Sequence, residues 1–122
     1  MSTDLTPVQE TANFILSFLG GYGNLVFLTG ANNFSVEETP KHALNFTLPP
    51  FDGDSLYEHR YVQISLNSMD TYDLVIKGWN KEQTNIEVVH RSEGLYNDML
   101  KKCFEEATGL YLTLFPKKKK AP

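Results

Sequence analysis

The stretch from Tyr61 to Trp79, YVQISLNSMDTYDLVIKGW, limits the possible folds more than any other part of the chain. Val62, Ile64 and Leu66 alternate with Tyr61, Gln63 and Ser65, the two-residue period of a half-buried strand. Tyr72, Leu74 and Ile76 then take one face of a second strand, and Asp73, Val75, Lys77 and Trp79 take the other. The link Asn67-Ser68-Met69-Asp70-Thr71 is rich in side chains that bond their own backbone in turns, so the two runs are expected to form a hairpin. A hairpin cannot stand alone in water, and the rest of the chain must cover or extend it.

Thr6 is expected to cap a first helix, with Pro7 at its first position and Gln9 closing a Thr-x-x-Gln box. Val8, Ala12, Ile15, Leu16 and Leu19 form its apolar stripe, Phe14 and Phe18 widen it, and Gly20-Gly21 ends it. Leu25 to Thr29 (LVFLT) reads as a short strand buried on both sides. Gly30-Ala31-Asn32-Asn33 reads as a turn, and Phe34 to Val36 as the start of a strand broken by Glu37-Glu38-Thr39-Pro40. Ala43 to Leu48 alternates, with Leu44, Phe46 and Leu48 inward and Asn45 and Thr47 outward, until Pro49-Pro50 stops it. FDGDSLYEHR then reads as a polar loop.

After the hairpin, Asn80 to Asn85 is a turn. Ile86 to His90 is a last strand, with Ile86 and Val88 on one face and Glu87 and Val89 on the other. A second helix is expected to place Leu95, Tyr96, Met99, Leu100, Cys103, Phe104 and Ala107 on one face and to close at Thr108-Gly109. Leu110 to Phe115 reads as an edge strand or a segment packed back on the sheet. The order implies an α+β, two-layer domain: an antiparallel sheet of four to five strands flanked by an N-terminal and a C-terminal helix. Residues 1–116 form that domain and 117–122 a disordered basic tail.

Removing Lys117 to Lys120 from a net charge of −4 leaves −8 on the rest of the chain. An acidic body with a short basic run is not the footprint of a duplex-DNA binder. No apolar run approaches the roughly 20 residues of a membrane span. The opening segment has no basic region followed by an apolar one, so no secretory leader is expected. A single cysteine, Cys103, fits a reducing cytosol.

The chain offers little for catalysis. His42, His59 and His90 have no paired spacing, so no metal site is expected. Asp52, Asp54 and Glu58 read as a solvated acidic loop rather than a cation loop or a carboxylate pair. Cys103 falls on an apolar helix face, where a thiol is inert. Gly20-Gly21-Tyr22-Gly23 follows a helix rather than a strand, the reverse of a phosphate-binding order. Neither a cofactor nor an enzymatic activity is expected.

A surface is what remains. Tyr61, Gln63, Val75, Lys77, Trp79, Val89 and Arg91 are expected on the sheet face away from the helices. Tyr61, Val75, Lys77, Trp79, Val89 and Arg91 are the candidate binding residues. Three uses stand open. The face could be covered core, or a protein or homodimer interface anchored by aromatic and arginine side chains. Or it could be a platform on which bases of a single-stranded nucleic acid stack.

The blocks Thr29-Gly30-Ala31-Asn32-Asn33-Phe34, Gly94-Leu95-Tyr96-Asn97-Asp98-Met99-Leu100 and Thr108-Gly109-Leu110-Tyr111 resemble those of small uncharacterised proteins of bacteriophages, prophages and mobile elements. The hairpin Val62 to Val75 fits the same pattern, so the resemblance spans roughly residues 11 to 114. It implies an accessory protein in a bacterial cytoplasm that binds a host or phage protein, with inhibition of a host defence system as one such task. It supplies no catalytic residues.

Overall fold

A computed structural model of the chain describes residues 6–38, 41–49, 57–80, 82, 84–108 and 112, with the backbone alone at 57 and 58. Helices α1 (Pro7–Phe18) and α2 (Tyr22–Thr29) lead into strands β1 (Asn32–Glu37), β2 (Ala43–Leu48), β3 (Tyr57–Leu66), β4 (Tyr72–Asn80) and β5 (Asn85–Leu95). A turn of 3-10 helix at Asn97–Met99 then runs into α3 (Leu100–Thr108). The strands form one antiparallel sheet in chain order, β1 to β5, so each strand pairs with its sequence neighbours. The fold is the α+β arrangement the alternation implies.

The hairpin forms as expected. Val62 lies opposite Ile76, Ile64 opposite Leu74 and Leu66 opposite Tyr72. Its turn is organised by Asn67, whose Oδ1 accepts from the backbone N–H of Met69 (2.8 Å) and of Thr71 (3.2 Å). Asp70 adopts the left-handed conformation that short polar side chains tolerate. On one face Leu44, Phe46, Leu48, Val62, Ile64, Leu74 and Ile76 join Ile15 of α1, Leu19 just past its end, Leu25 of α2, and Leu100 and Phe104 of α3 in a single buried core. A relay of rings ties the layers together: Tyr22 to Phe34 (5.0 Å between centroids), Phe34 to Phe46 (5.2 Å) and Phe46 to Phe104 (6.1 Å).

The Thr6–Gln9 capping box is present in both directions, with Pro7 opening α1. Other expectations need correction. The run Leu25 to Thr29 is not a strand but the body of α2. Gly20 and Gly21 both sit at positive φ, which turns the chain out of α1 and lets Gly21 cap a new helix. Gly30, left-handed at φ 75°, closes it, while Thr29 Oγ1 donates to the Leu25 carbonyl and accepts from the Ala31 N–H. A short apolar run has no period by which to tell helix from strand, and here the flanking glycines decided.

At the sheet edges, β1 extends through Glu37 rather than ending before it, and β3 begins at Tyr57, inside the expected polar loop. The final helix starts later than its apolar spacing suggests. Leu95 is the end of β5 and lies opposite Tyr72, whereas Tyr96 and Met99 are exposed, so these side chains do not share one helix face. Asp52, Asp54 and the expected tail 117–122 lie outside the described residues, as does all of Leu110 to Phe115 except the buried Leu112.

Candidate functional site: the open sheet face

The alternation that buries Ile64 and Leu74 aims their neighbours the other way. Thr47 lies opposite Tyr61 and Tyr61 opposite Lys77; Asn45 lies opposite Gln63, Gln63 opposite Val75 and Val75 opposite Arg91. Cross-strand neighbours of this kind stand about 5 Å apart, so these residues form one contiguous patch on β2 to β5. Among the described residues none of this patch joins the cluster packed under the helices, although Val75 is itself buried. No described helix lies over this face; the segment Leu110 to Phe115, the other candidate cover, falls outside the described residues except for Leu112.

Val75 forms the floor of the patch and is buried although it points away from the helices. Two grooves meet over it and over Gln63. One, of about 310 Å³, is lined by Asn33, Ser35, Asn45, Thr47, Tyr61 and Lys77. The other, of about 230 Å³, is lined by Glu37, Lys41, Ser65, Asp73, Arg91 and Glu93. The first mixes amide, hydroxyl and ammonium side chains with the Tyr61 ring over an apolar floor. The second carries both signs of charge, with Lys41 Nζ 3.4 Å from Asp73 Oδ2 and Gln63 donating to Glu37 at 2.6 Å.

Asp73 anchors this end of the face. Its carboxylate accepts from the Gly94 N–H (3.1 Å), from Asn67 Nδ2 (3.0 Å) and from Lys41. Partial burial pushes its carboxyl up, but those three donors outweigh it and hold the pKa below the usual value for aspartate. On the other face Tyr72 is pushed the opposite way, by burial first and then by the nearby Asp70 charge.

Of the candidate binding residues, Tyr61, Val75, Lys77 and Arg91 meet in the patch. Trp79 continues it along β4, paired with Ile86. Val89 does not hold a regular place there. The register slips by one residue between Ile76–His90 and Lys77–Val88, which leaves Val89 as the extra residue. Val88 and Ile86 take the positions beside Lys77 and Trp79, not the face opposite Val89. Sequence reasoning did not name Asn33, Ser35, Asn45 and Thr47. The outward positions Asn45 and Thr47 were visible in the alternation of β2, but nothing marked them as groove walls.

The chemistry-bearing side chains elsewhere are dispersed. Among the described residues no three of His, Cys, Asp and Glu gather where a metal could be held. Thr11 Oγ1 lies 3.1 Å from His42 Nδ1, and His59 is exposed. The closest approach to a catalytic group is Cys103 Sγ, 4.0 Å from His90 Nε2 and 3.4 Å from Ser92 Oγ, in the contact between α3 and β5. Neither groove on the open face includes these three residues. No protein-family model, curated protein or solved structure matches the chain.

Proposed function

We propose that the chain is a small non-enzymatic binding protein that acts by protein–protein contact through its open sheet face. The observation that carries this reading is the patch Tyr61–Gln63–Val75–Lys77–Arg91, which no described helix covers, with its two confluent grooves. An apolar floor, an aromatic wall and a rim of both charge signs are the composition of a protein-recognition surface. The resemblance of the Thr29–Phe34 and Gly94–Leu100 blocks to phage and mobile-element proteins supports a bacterial cytoplasmic setting. In that setting inhibition of a host defence component is the proposed task. Dispersal of histidines and carboxylates among the described residues supports a non-enzymatic role.

The test is capture of a partner by the immobilised full chain, its identification by mass spectrometry, and titration against Tyr61→Ala/Arg91→Glu. The expected result is a defined partner whose affinity falls at least tenfold with the variant. An identified partner bound equally well by the variant would refute the assignment to this face.

A second reading has one specific observation behind it: Tyr61, Lys77, Trp79 and Arg91 share the face, as base stacking with phosphate contact needs. Against it, Glu37, Asp73 and Glu93 balance the cations. Affinity for an oligonucleotide that falls steeply with salt, and falls again in Trp79→Ala, would establish this reading in place of the first.

A further inference from the structure

On the open face Val75 lies at the bottom of a recess. It points away from the helices and no described helix covers it, yet it is only 8% exposed. Gln63 and Arg91 flank it across the strands, and Asp73 and Lys77 flank it along β4. Three rows of side chains cross this face. Thr47, Tyr61 and Lys77 make the first; Asn45, Gln63, Val75 and Arg91 make the second. In the third, Ala43, Ser65 and Asp73 lie between Glu37, which is opposite Ala43, and Glu93 of β5.

The rows differ in charge. Lys41 and Asp73 answer one another at 3.4 Å, which leaves Glu37 and Glu93 to set the sign of the third row. Lys77 and Arg91 make the other two rows positive. Among the described residues none of these last four has an ion-pair partner. The recess therefore runs from a positive end at Lys77, over an apolar floor at Val75, to a negative end beside Asp73. Four residues of β4 separate those ends, about 13 Å of extended chain. Charges four residues apart on a helix are separated by only about 6 Å along its axis. A chain that matches both ends over so few residues must be extended.

We propose that the recess takes an extended segment of a partner protein in which an acidic, an apolar and a basic residue occupy alternate positions. The inference rests on the reading of the open face as a protein-binding surface and names what that surface recognises. Alternate side chains of an extended chain share one side. The acid then meets Lys77 and Arg91, the apolar residue fills the space over Val75, and the base reaches Glu37 or Glu93. The order of side chains is specified rather than the direction of the backbone, so the segment can run either way. A polyanion fails at the third row, where carboxylates would face phosphates. A second copy fits less well, because two recessed faces laid together leave both Val75 floors unfilled.

The experiment is fluorescence-anisotropy titration of the full chain into labelled peptides. The first is Ser-Glu-Thr-Val-Thr-Lys-Ser; the others carry Glu at both charged positions, Lys at both, or Glu and Lys side by side. The expected result is binding of the first roughly tenfold tighter than the rest, because each alternative sets like charges together or leaves one end of the recess unmatched. Lys77→Glu should change the order and prefer the two-lysine peptide. Glu37→Lys combined with Glu93→Lys should prefer the two-glutamate peptide. All three side chains are exposed, so these variants should melt as the parent does; should Lys77→Glu fail to fold, Arg91→Glu takes its place. Equal affinities for the four peptides, no measurable binding, or an order unmoved by the charge reversals overturns the proposal. Self-association in sedimentation that Lys77→Glu abolishes would give the recess to a second copy instead. Failure here is separable from failure of the broader reading. An identified partner that needs Tyr61 and Arg91 but shows no such charge order would keep the face and remove only this segment.

Discussion

The two faces of the β3–β4 pair are made from the same strands and meet opposite fates. On one side Val62, Ile64, Leu74 and Ile76 are closed off by α1, α2 and α3. On the other, Tyr61, Gln63, Val75 and Lys77 line grooves that no described helix covers. The buried side is nearly pure aliphatic carbon, and its residues are interchangeable in kind. The open side mixes a phenol, an amide, a valine and an ammonium, and each has a distinct use. Chemical variety at fixed geometry separates a face that holds the domain together from one available to a partner.

That contrast makes its strongest claim at Ile64, which is fully buried opposite Leu74. Ile64→Ala is expected to cost about 2–5 kcal/mol, the range for emptying an enclosed aliphatic site. Urea denaturation followed by circular dichroism measures it. A loss under about 1 kcal/mol would mean the helices do not close this side, and the contrast between faces would fail.

Asp73 sharpens the comparison, because it points to the open side yet ties three segments together. Asp73→Asn should cost about 1–3 kcal/mol, since the donors of Gly94, Asn67 and Lys41 lose a charged acceptor. The sign with pH follows from its lowered pKa. The unfolded chain binds a proton more readily than the folded one, so the contribution of Asp73 is complete above the ordinary aspartate value of about 3.9. It is lost as pH falls through the lower folded value. Parent and Asp73→Asn should therefore converge in stability on acidification below about pH 4. A gap constant down to acid would show that the carboxylate charge is not what matters.

How far all this could be read from sequence depended on the length of each periodic run. β2, β3 and β4 alternate over enough residues that both their strand character and their inward faces were legible. α2 was not, because Leu25 to Thr29 is too short to show a period, and the deciding signals were Gly21 before it and Gly30 after it. The slip at Val88-Val89 was hidden for a related reason: one extra residue leaves no mark on a pattern unless a repeated side chain betrays it. The open face was legible as a list of residues, but not as grooves, since Asn33 and Ser35 come from a strand the sequence had cut short. Gly30 gives a direct check on the α2 correction. Gly30→Ala should cost about 1–2 kcal/mol, because its left-handed φ penalises a Cβ that would also stand 3.0 Å from Pro49 Cγ.

The smallest expected effect bears most on function. Lys77 and Arg91 are both exposed on the open face, one beside Tyr61 and the other beside Val75. Neither contributes to the core, so Lys77→Ala and Arg91→Ala should each change stability by no more than about 0.5 kcal/mol. A side chain kept for architecture cannot be removed at so little cost, whereas one kept for a partner can. The decisive readout is the pairing of two measurements on each variant: an unchanged melting transition with a weakened captured partner. If instead the melts fall by several degrees while capture is unaffected, the two faces of the sheet share the task of stability. The grooves over Val75 would then be a by-product of strand curvature rather than a binding surface.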